Sequence, residues 1–86
     1  MPKALTIRRS IVPLSERKKF LQKVKTRRAY YAGASCHFWM FEESDLAGAL
    51  DEFIEADDAD TLTKALAAAP DQPGEAARIY PEVELD

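Results

Sequence analysis

The first dozen residues alternate apolar and polar positions with a period of two. In Ala4-Leu5-Thr6-Ile7-Arg8-Arg9-Ser10-Ile11-Val12, one face collects Leu5, Ile7 and Ile11 with Arg9. The other face collects Thr6, Arg8, Ser10 and Val12, and this pattern predicts a strand over 4–12. Pro13 stops the ladder, and the Ser15 hydroxyl is suited to cap a helix start. From Glu16 to Ala32 the period becomes helical. Phe20, Leu21, Val24, Arg28 and Tyr31 fall on one stripe, while Arg17, Lys18, Lys19, Lys23, Lys25 and Arg27 cover the other sides. Glu16 sits in the first turn, where the helix dipole favours an acid, and Gly33 is expected to end the helix in a left-handed conformation.

The run Cys36-His37-Phe38-Trp39-Met40-Phe41 predicts a second strand that is apolar on both faces. Such a strand needs cover on both sides, unlike one wetted on one face. Residues 43–48 connect it, with turn chemistry from Asp45 and Gly48, to a third strand over 49–56. There Leu50 and Ile54 share one face and Phe53 takes the other, with Asp51, Glu52 and Glu55 interleaved. Asp57-Asp58-Ala59-Asp60 opens a second helix carrying Leu62, Ala65, Leu66 and Ala69 at helical spacing, and Pro70 ends it. Residues 71–74 form a loop. A last strand is expected over 77–85, with Pro81 tolerable only at an edge or a strand end.

The order β-α-β-β-α-β, joined by right-handed crossovers, gives one domain over 1–86. It is an α+β, ferredoxin-like fold: a four-stranded antiparallel sheet with both helices on one face. The third strand lies between the first and second, and the second is an edge. The other sheet face is bare in a single chain, and apolar surface left in water costs about 25 cal/mol per Å². A homodimer packed sheet to sheet is the expected remedy.

The segment Cys36-His37-Phe38-Trp39-Met40-Phe41-Glu42-Glu43, followed after a turn by Asp51-Glu52-Phe53-Ile54-Glu55-Ala56, resembles the dimeric α+β barrel superfamily. That group includes antibiotic-biosynthesis-monooxygenase-like proteins and many small uncharacterised ones. The resemblance is one of pattern over nearly the whole chain. It implies that two sheets pair into a barrel, with a pocket between sheet and helices in each subunit. It also implies cofactor-independent monooxygenase-like chemistry, if there is chemistry at all. Haem degraders of this type use an Asn, a Trp and a His, and this chain has no asparagine. Fold does not carry function by itself.

Net charge is only −3 but is unevenly spread. Residues 1–35 hold ten Lys/Arg and one acid, and residues 36–86 hold two Lys/Arg and fourteen acids. Basic and acidic halves of this kind neutralise each other within one domain, so a nucleic-acid partner is not required. RNA-recognition domains share the strand order but present basic and aromatic middle strands, whereas Asp51-Glu52-Phe53-Ile54-Glu55 would repel phosphate. No apolar run approaches the roughly 20 residues that cross a bilayer, so no membrane partner is expected. The lone Cys36 cannot form an internal disulfide, and the chain opens without a signal-peptide pattern, which together point to the cytoplasm.

His37, the one histidine, is the candidate catalytic residue, its plainer role being a strand residue near the rim. Trp39, Tyr31 and Arg9 are the candidate ligand-binding residues. Trp39 better suits a core or interface anchor, and Arg9 better suits an ion pair with Asp51 or Glu52. With one histidine and one cysteine, no metal set can be assembled and no cofactor is called for; the acids 57, 58 and 60 read as helix cap and dipole partners. Two functions fit. One is a small homodimeric protein binding or oxidising a small apolar or aromatic molecule between sheet and helices; the alternative is a structural or interaction dimer without catalysis. The residues leave open whether the protein is an enzyme.

Overall fold

The computed structural model describes residues 2–70 and 77–85. Strand β1 (Ala4–Ile11) leads through a 3₁₀ turn (Leu14–Glu16) into α1 (Arg17–Gly33). Then follow β2 (His37–Glu42), β3 (Ala49–Ala56), α2 (Ala59–Ala67) and a two-residue β4 (Tyr80–Pro81). The antiparallel sheet has the order β2-β3-β1-β4, so the expected βαββαβ topology and the central place of β3 both hold.

Several ends differ from the sequence reading. Ser15 does not cap α1: the chain enters through the 3₁₀ turn, and Glu16 becomes the N-cap without a side-chain hydrogen bond. Gly33 stays helical, and the left-handed position falls to Ser35 (φ 65°). It does so because the Cys36 amide donates back to the Tyr31 carbonyl at 2.9 Å, the six-to-one bond of a Schellman turn. Gly48 does take positive φ (88°), and a Cβ there would lie 2.5 Å from the Val12 carbonyl oxygen. Asp58 caps α2 as its acid-rich start suggests, its carboxylate accepting from the Thr61 amide at 2.7 Å. The last strand shrinks from 77–85 to two residues. The Arg78 carbonyl is taken by the Thr6 hydroxyl (2.6 Å) instead of a ladder amide, and Pro81 has no amide to give. The loop expected over 71–74 lies outside the described residues.

Both helices cover one sheet face. There Tyr31, Cys36, Ile54, Ala56, Leu62, Ala65 and Ala69 form a core with Ala4, and the Tyr30 hydroxyl ties α1 to α2 by donating to the Ala65 carbonyl at 2.6 Å. The opposite face is open. Its rows, read across the ladder, are His37-Glu55-Leu5, Trp39-Phe53-Ile7 and Phe41-Asp51-Arg9.

This face overturns the barrel expected from the resemblance to the dimeric α+β barrel superfamily. Edges β2 and β4 stand on opposite sides of a four-stranded sheet that is open. The second strand is also not covered on both sides: Trp39 is 42% and Phe41 58% exposed. Charged Arg9, Asp51 and Glu55 interrupt the apolar rows, so the face is wetted instead of being a continuous dry surface. The fold is an open ferredoxin-like sheet. It is not a barrel, and the sheet-to-sheet homodimer, expected because that face was read as bare and apolar, loses its ground on a face that carries charge.

The open face has a direct optical test. Trp39 is the lone indole, so the native protein should emit like a wet indole and be quenched efficiently by acrylamide. A blue-shifted, quencher-resistant emission at low protein concentration would contradict the open sheet.

Candidate functional site

The site follows from an inversion in β1. Its apolar side chains Leu5, Ile7 and Ile11 face the open side, and Ala4, Thr6, Arg8 and Ser10 face the helices. Small and polar groups cannot fill the space beneath α1 and α2, so the core thins there. A cleft of about 500 Å³ opens between β1, α1, α2 and residues 77–80. Ile54, Leu66, Tyr31 and Tyr80 supply apolar walls; Thr6, Ser10 and Arg78 supply polar ones.

At its base lies a buried ion pair. Arg27 and Glu52 are 3% and 1% exposed, and the guanidinium grips the carboxylate in a fork, Nε–Oε2 at 3.2 Å and Nη2 on Oε1. The Phe20 ring lies 5.6 Å from the guanidinium carbon, adding a cation–π contact. The sequence reading missed this pair. It put Arg28 on the buried stripe and Arg27 in water, yet Arg28 is exposed and Arg27 buried. The signal was present: 20, 24, 27 and 31 is a proper helical series, and Glu52 alternates with Leu50 and Ile54 on the buried face of β3.

Tyr31 borders the cleft, stacked on Phe38 (6.1 Å between centroids) and edge-on to Tyr30 (4.9 Å). Burial pushes its phenol above the ordinary tyrosine value, so it stays protonated at neutral pH. The Cys36 thiol is likewise raised by burial and stays unreactive.

The other sequence candidates do not meet Tyr31. His37 and Trp39 stack on each other at 5.8 Å on the open face, across the sheet from the cleft. Arg9 borders the cleft along the strand, but its guanidinium projects to the open face. Its partner there is Glu43, not Asp51 or Glu52, with Nε–Oε2 at 2.6 Å and Nη2–Oε1 at 3.0 Å. That fork holds the Glu43 carboxyl below its usual value. Asp51 is raised instead, by partial desolvation first and then by its hydrogen bond to Glu43. The Glu42 carboxyl is lowered by Arg17 and by the Gly48 amide, which donates to it at 2.9 Å.

These pairs answer the charge asymmetry. Arg9–Glu43, Arg17–Glu42, Arg27–Glu52 and Lys3–Glu55 each join the basic first half to the acidic second half. Among the described residues no cluster of three His, Cys, Asp or Glu could hold a metal ion, and the described cleft lining contains neither His nor Cys. The arrangement suits holding a molecule by shape, aromatic walls and a cationic rim.

Geometry and topology define an open ferredoxin-like α+β protein. The chain is similar to the crystal structure of a conserved protein from Methanosarcina mazei Go1, with a TM-score of 0.72 and 12% sequence identity over 95% of this chain and 92% of that one. A likeness at that identity speaks for the fold alone. No family model and no curated protein matches the chain. Among the described residues, no helix is long and apolar enough to cross a membrane.

Two predictions follow from the charged groups. Removing one partner of the buried fork, as in Glu52→Ala, should cost about 3–5 kcal/mol by urea denaturation, while Arg27→Met with Glu52→Leu should recover most of that loss. A double variant as unstable as the single would mean that the pair contributes more than mutual compensation. Asp51 gives the second. A carboxyl whose folded pKa lies above its unfolded one favours folding at low pH and loses that contribution as pH rises through the folded value. Asp51→Asn should therefore raise the urea midpoint at pH 7 and have little effect below the ordinary carboxylate range. A loss of stability at pH 7 would assign Asp51 to the Arg9 ion pair instead.

Proposed function

We propose that the protein binds a small planar or aromatic molecule bearing an anionic group in the cleft between β1, α1 and α2. The observation that carries the reading is the cleft itself. Its volume of about 500 Å³ lies within the 300–1,000 Å³ typical of ligand pockets, and it opens above a base of charged groups already neutralised by each other. Ring contacts come from Tyr31 and Tyr80, with Leu66 and Ile54 behind them. Arg78 is exposed at the mouth and makes no ion pair among the described residues, so its guanidinium is available to a carboxylate.

Of the sequence candidates, Tyr31 belongs to this proposal through its ring and Arg9 through its position along the strand. His37 and Trp39 have no part in it, being on the other sheet face. The role is binding. A reducing compartment suits the buried free thiol of Cys36.

The test is an amide chemical-shift titration with benzoate and salicylate beside their neutral amides. Saturable shifts should cluster at Thr6, Ser10, Tyr31, Leu66 and Arg78, the acids should bind more tightly than the amides, and Arg78→Ala should weaken the acids by roughly tenfold. Absence of saturable shifts across the panel, or shifts confined to His37 and Trp39, would overturn the assignment.

A further inference from the structure

Strand β1 is paired along its whole length with β3, but among the described residues its other edge is paired only at the start. The ladder with β4 holds two register pairs, Ala4↔Pro81 and Leu5↔Tyr80. Two hydrogen bonds show which main-chain groups point to that edge. The Lys3 carbonyl accepts from the Glu82 amide (2.7 Å), so odd residues face the β4 side. The Val12 amide donates to Gly48 next to β3 (2.8 Å), so even residues face β3. The amides and carbonyls of Ile7, Arg9 and Ile11 are therefore directed outward, where no described strand lies.

Proteins usually blunt such an edge with an inward charge, a bulge or a covering element, because unpaired main chain is a template for another strand. Here Arg8 is one inward charge, but the run Thr6–Ile11 is regular, without a bulge, and Ile7 and Ile11 are 44% and 58% exposed beside it. At about 3.4 Å per residue it offers roughly 20 Å of edge. A groove runs next to it. The 500 Å³ cleft and a second cavity of about 300 Å³, lined by Ile11, Val12, Phe20, Lys19 and Lys23, meet at Ser10. Lys19 and Lys23, one helical turn apart, rim one end and Arg78 the other, and none of the three makes an ion pair among the described residues. Glu16 is the acid at the second cavity, and Glu52 in the first is consumed by Arg27.

We propose that the free edge of β1 takes an extended peptide of another protein as an added strand, and that this peptide alternates acidic and apolar residues. The alternation follows from the two sides of the edge. Side chains on the helix side of the added strand meet Lys19, Lys23 and Arg78, which select acids; those on the open side meet Ile7 and Ile11, which select apolar groups. The inference goes beyond the small-molecule reading. It depends on main chain and on Lys19 and Lys23, which lie outside the ligand cleft; of its charged side chains only Arg78 is shared with that cleft.

The experiment uses a fluorescein-labelled peptide of roughly eight residues alternating valine and glutamate, a scrambled peptide of the same composition, and an alternating peptide N-methylated at every second residue. Fluorescence anisotropy should show saturable binding of the alternating peptide alone, and Lys19→Glu with Lys23→Glu should weaken it by tenfold or more while leaving salicylate titration unchanged. Hydrogen exchange at Ile7, Arg9 and Ile11 should slow on peptide addition. Equal binding of the scrambled or N-methylated peptide, or tighter binding of a single-stranded oligonucleotide, would reduce the edge to a general polyanion surface and overturn the proposal. Protection of the same three amides in the protein alone, rising with its concentration, would assign the edge to a second copy and overturn it equally.

Discussion

The fork between Arg27 and Glu52 is the contact on which the placement of α1 over the sheet depends. Each group is nearly sealed from water, and a buried charge without its partner costs several kcal/mol. The fork therefore fixes the rotation of α1: turned by one residue, Arg28 would point at Glu52 with a different reach and Val24 and Tyr31 would leave the core. It also fixes the depth of the helix above β3, because a bidentate pair tolerates little change in separation. Tyr31, one helical turn beyond Arg27, then stands over Phe38, and Tyr30 reaches the α2 backbone. The cleft beside it inherits its shape from this geometry.

The open sheet face obeys a different constraint. Its central row Trp39-Phe53-Ile7 is apolar, but Arg9, Asp51 and Glu55 flank that row and Glu43 reaches in from the connection after β2. Burying such a face dry would desolvate several ionic groups at once, whereas water serves them without cost. The aromatics compensate in part among themselves, His37 on Trp39 and Phe41 edge-on to Phe53. A doubly apolar second strand is thus compatible with an open sheet when its neighbours on that face carry charge.

Much of the fold was legible in the residues. Period-two and period-three-to-four patterns located both α-helices and the first three strands, though not the 3₁₀ turn or the true extent of the last strand, and the acid run at 57–60 marked the α2 cap. The misses share a cause: they are places where a polar group is used inside. Arg27 was read as solvated, because charged side chains usually are, and Glu52 as a partner for Arg9, although both sit in unbroken apolar series. Arg9 was given a cross-strand partner, since register is visible in sequence, but its partner lies in a connection whose path is not. The shortening of β4 turned on one hydroxyl, Thr6, which competes for a carbonyl that a ladder would have used. The candidate site suffered most. His37 and Trp39 drew attention as rare residue types, while the cleft arises from ordinary small residues, Thr6 and Ser10, that leave space unfilled.

That last point links the two faces of β1. An ordinary half-buried strand turns its apolar side to the core; this one turns Leu5, Ile7 and Ile11 away and keeps Ala4, Thr6, Arg8 and Ser10 beneath the helices. The arrangement costs packing at this end of the domain, and the apolar core accordingly gathers at the other, around Tyr31, Ile54 and Leu62. A domain of this size has little stability in reserve. Such an inversion is difficult to account for as a packing solution, since exchanging the two faces would fill the cleft and hide the isoleucines in one step. It is easier to account for as a division of labour. The acid-base fork and the alanine-rich core hold the sheet and helices together, and the strand at the margin is left with a cavity on one side, apolar side chains on the other, and main chain between them that no described strand pairs. Those are the elements from which recognition is built.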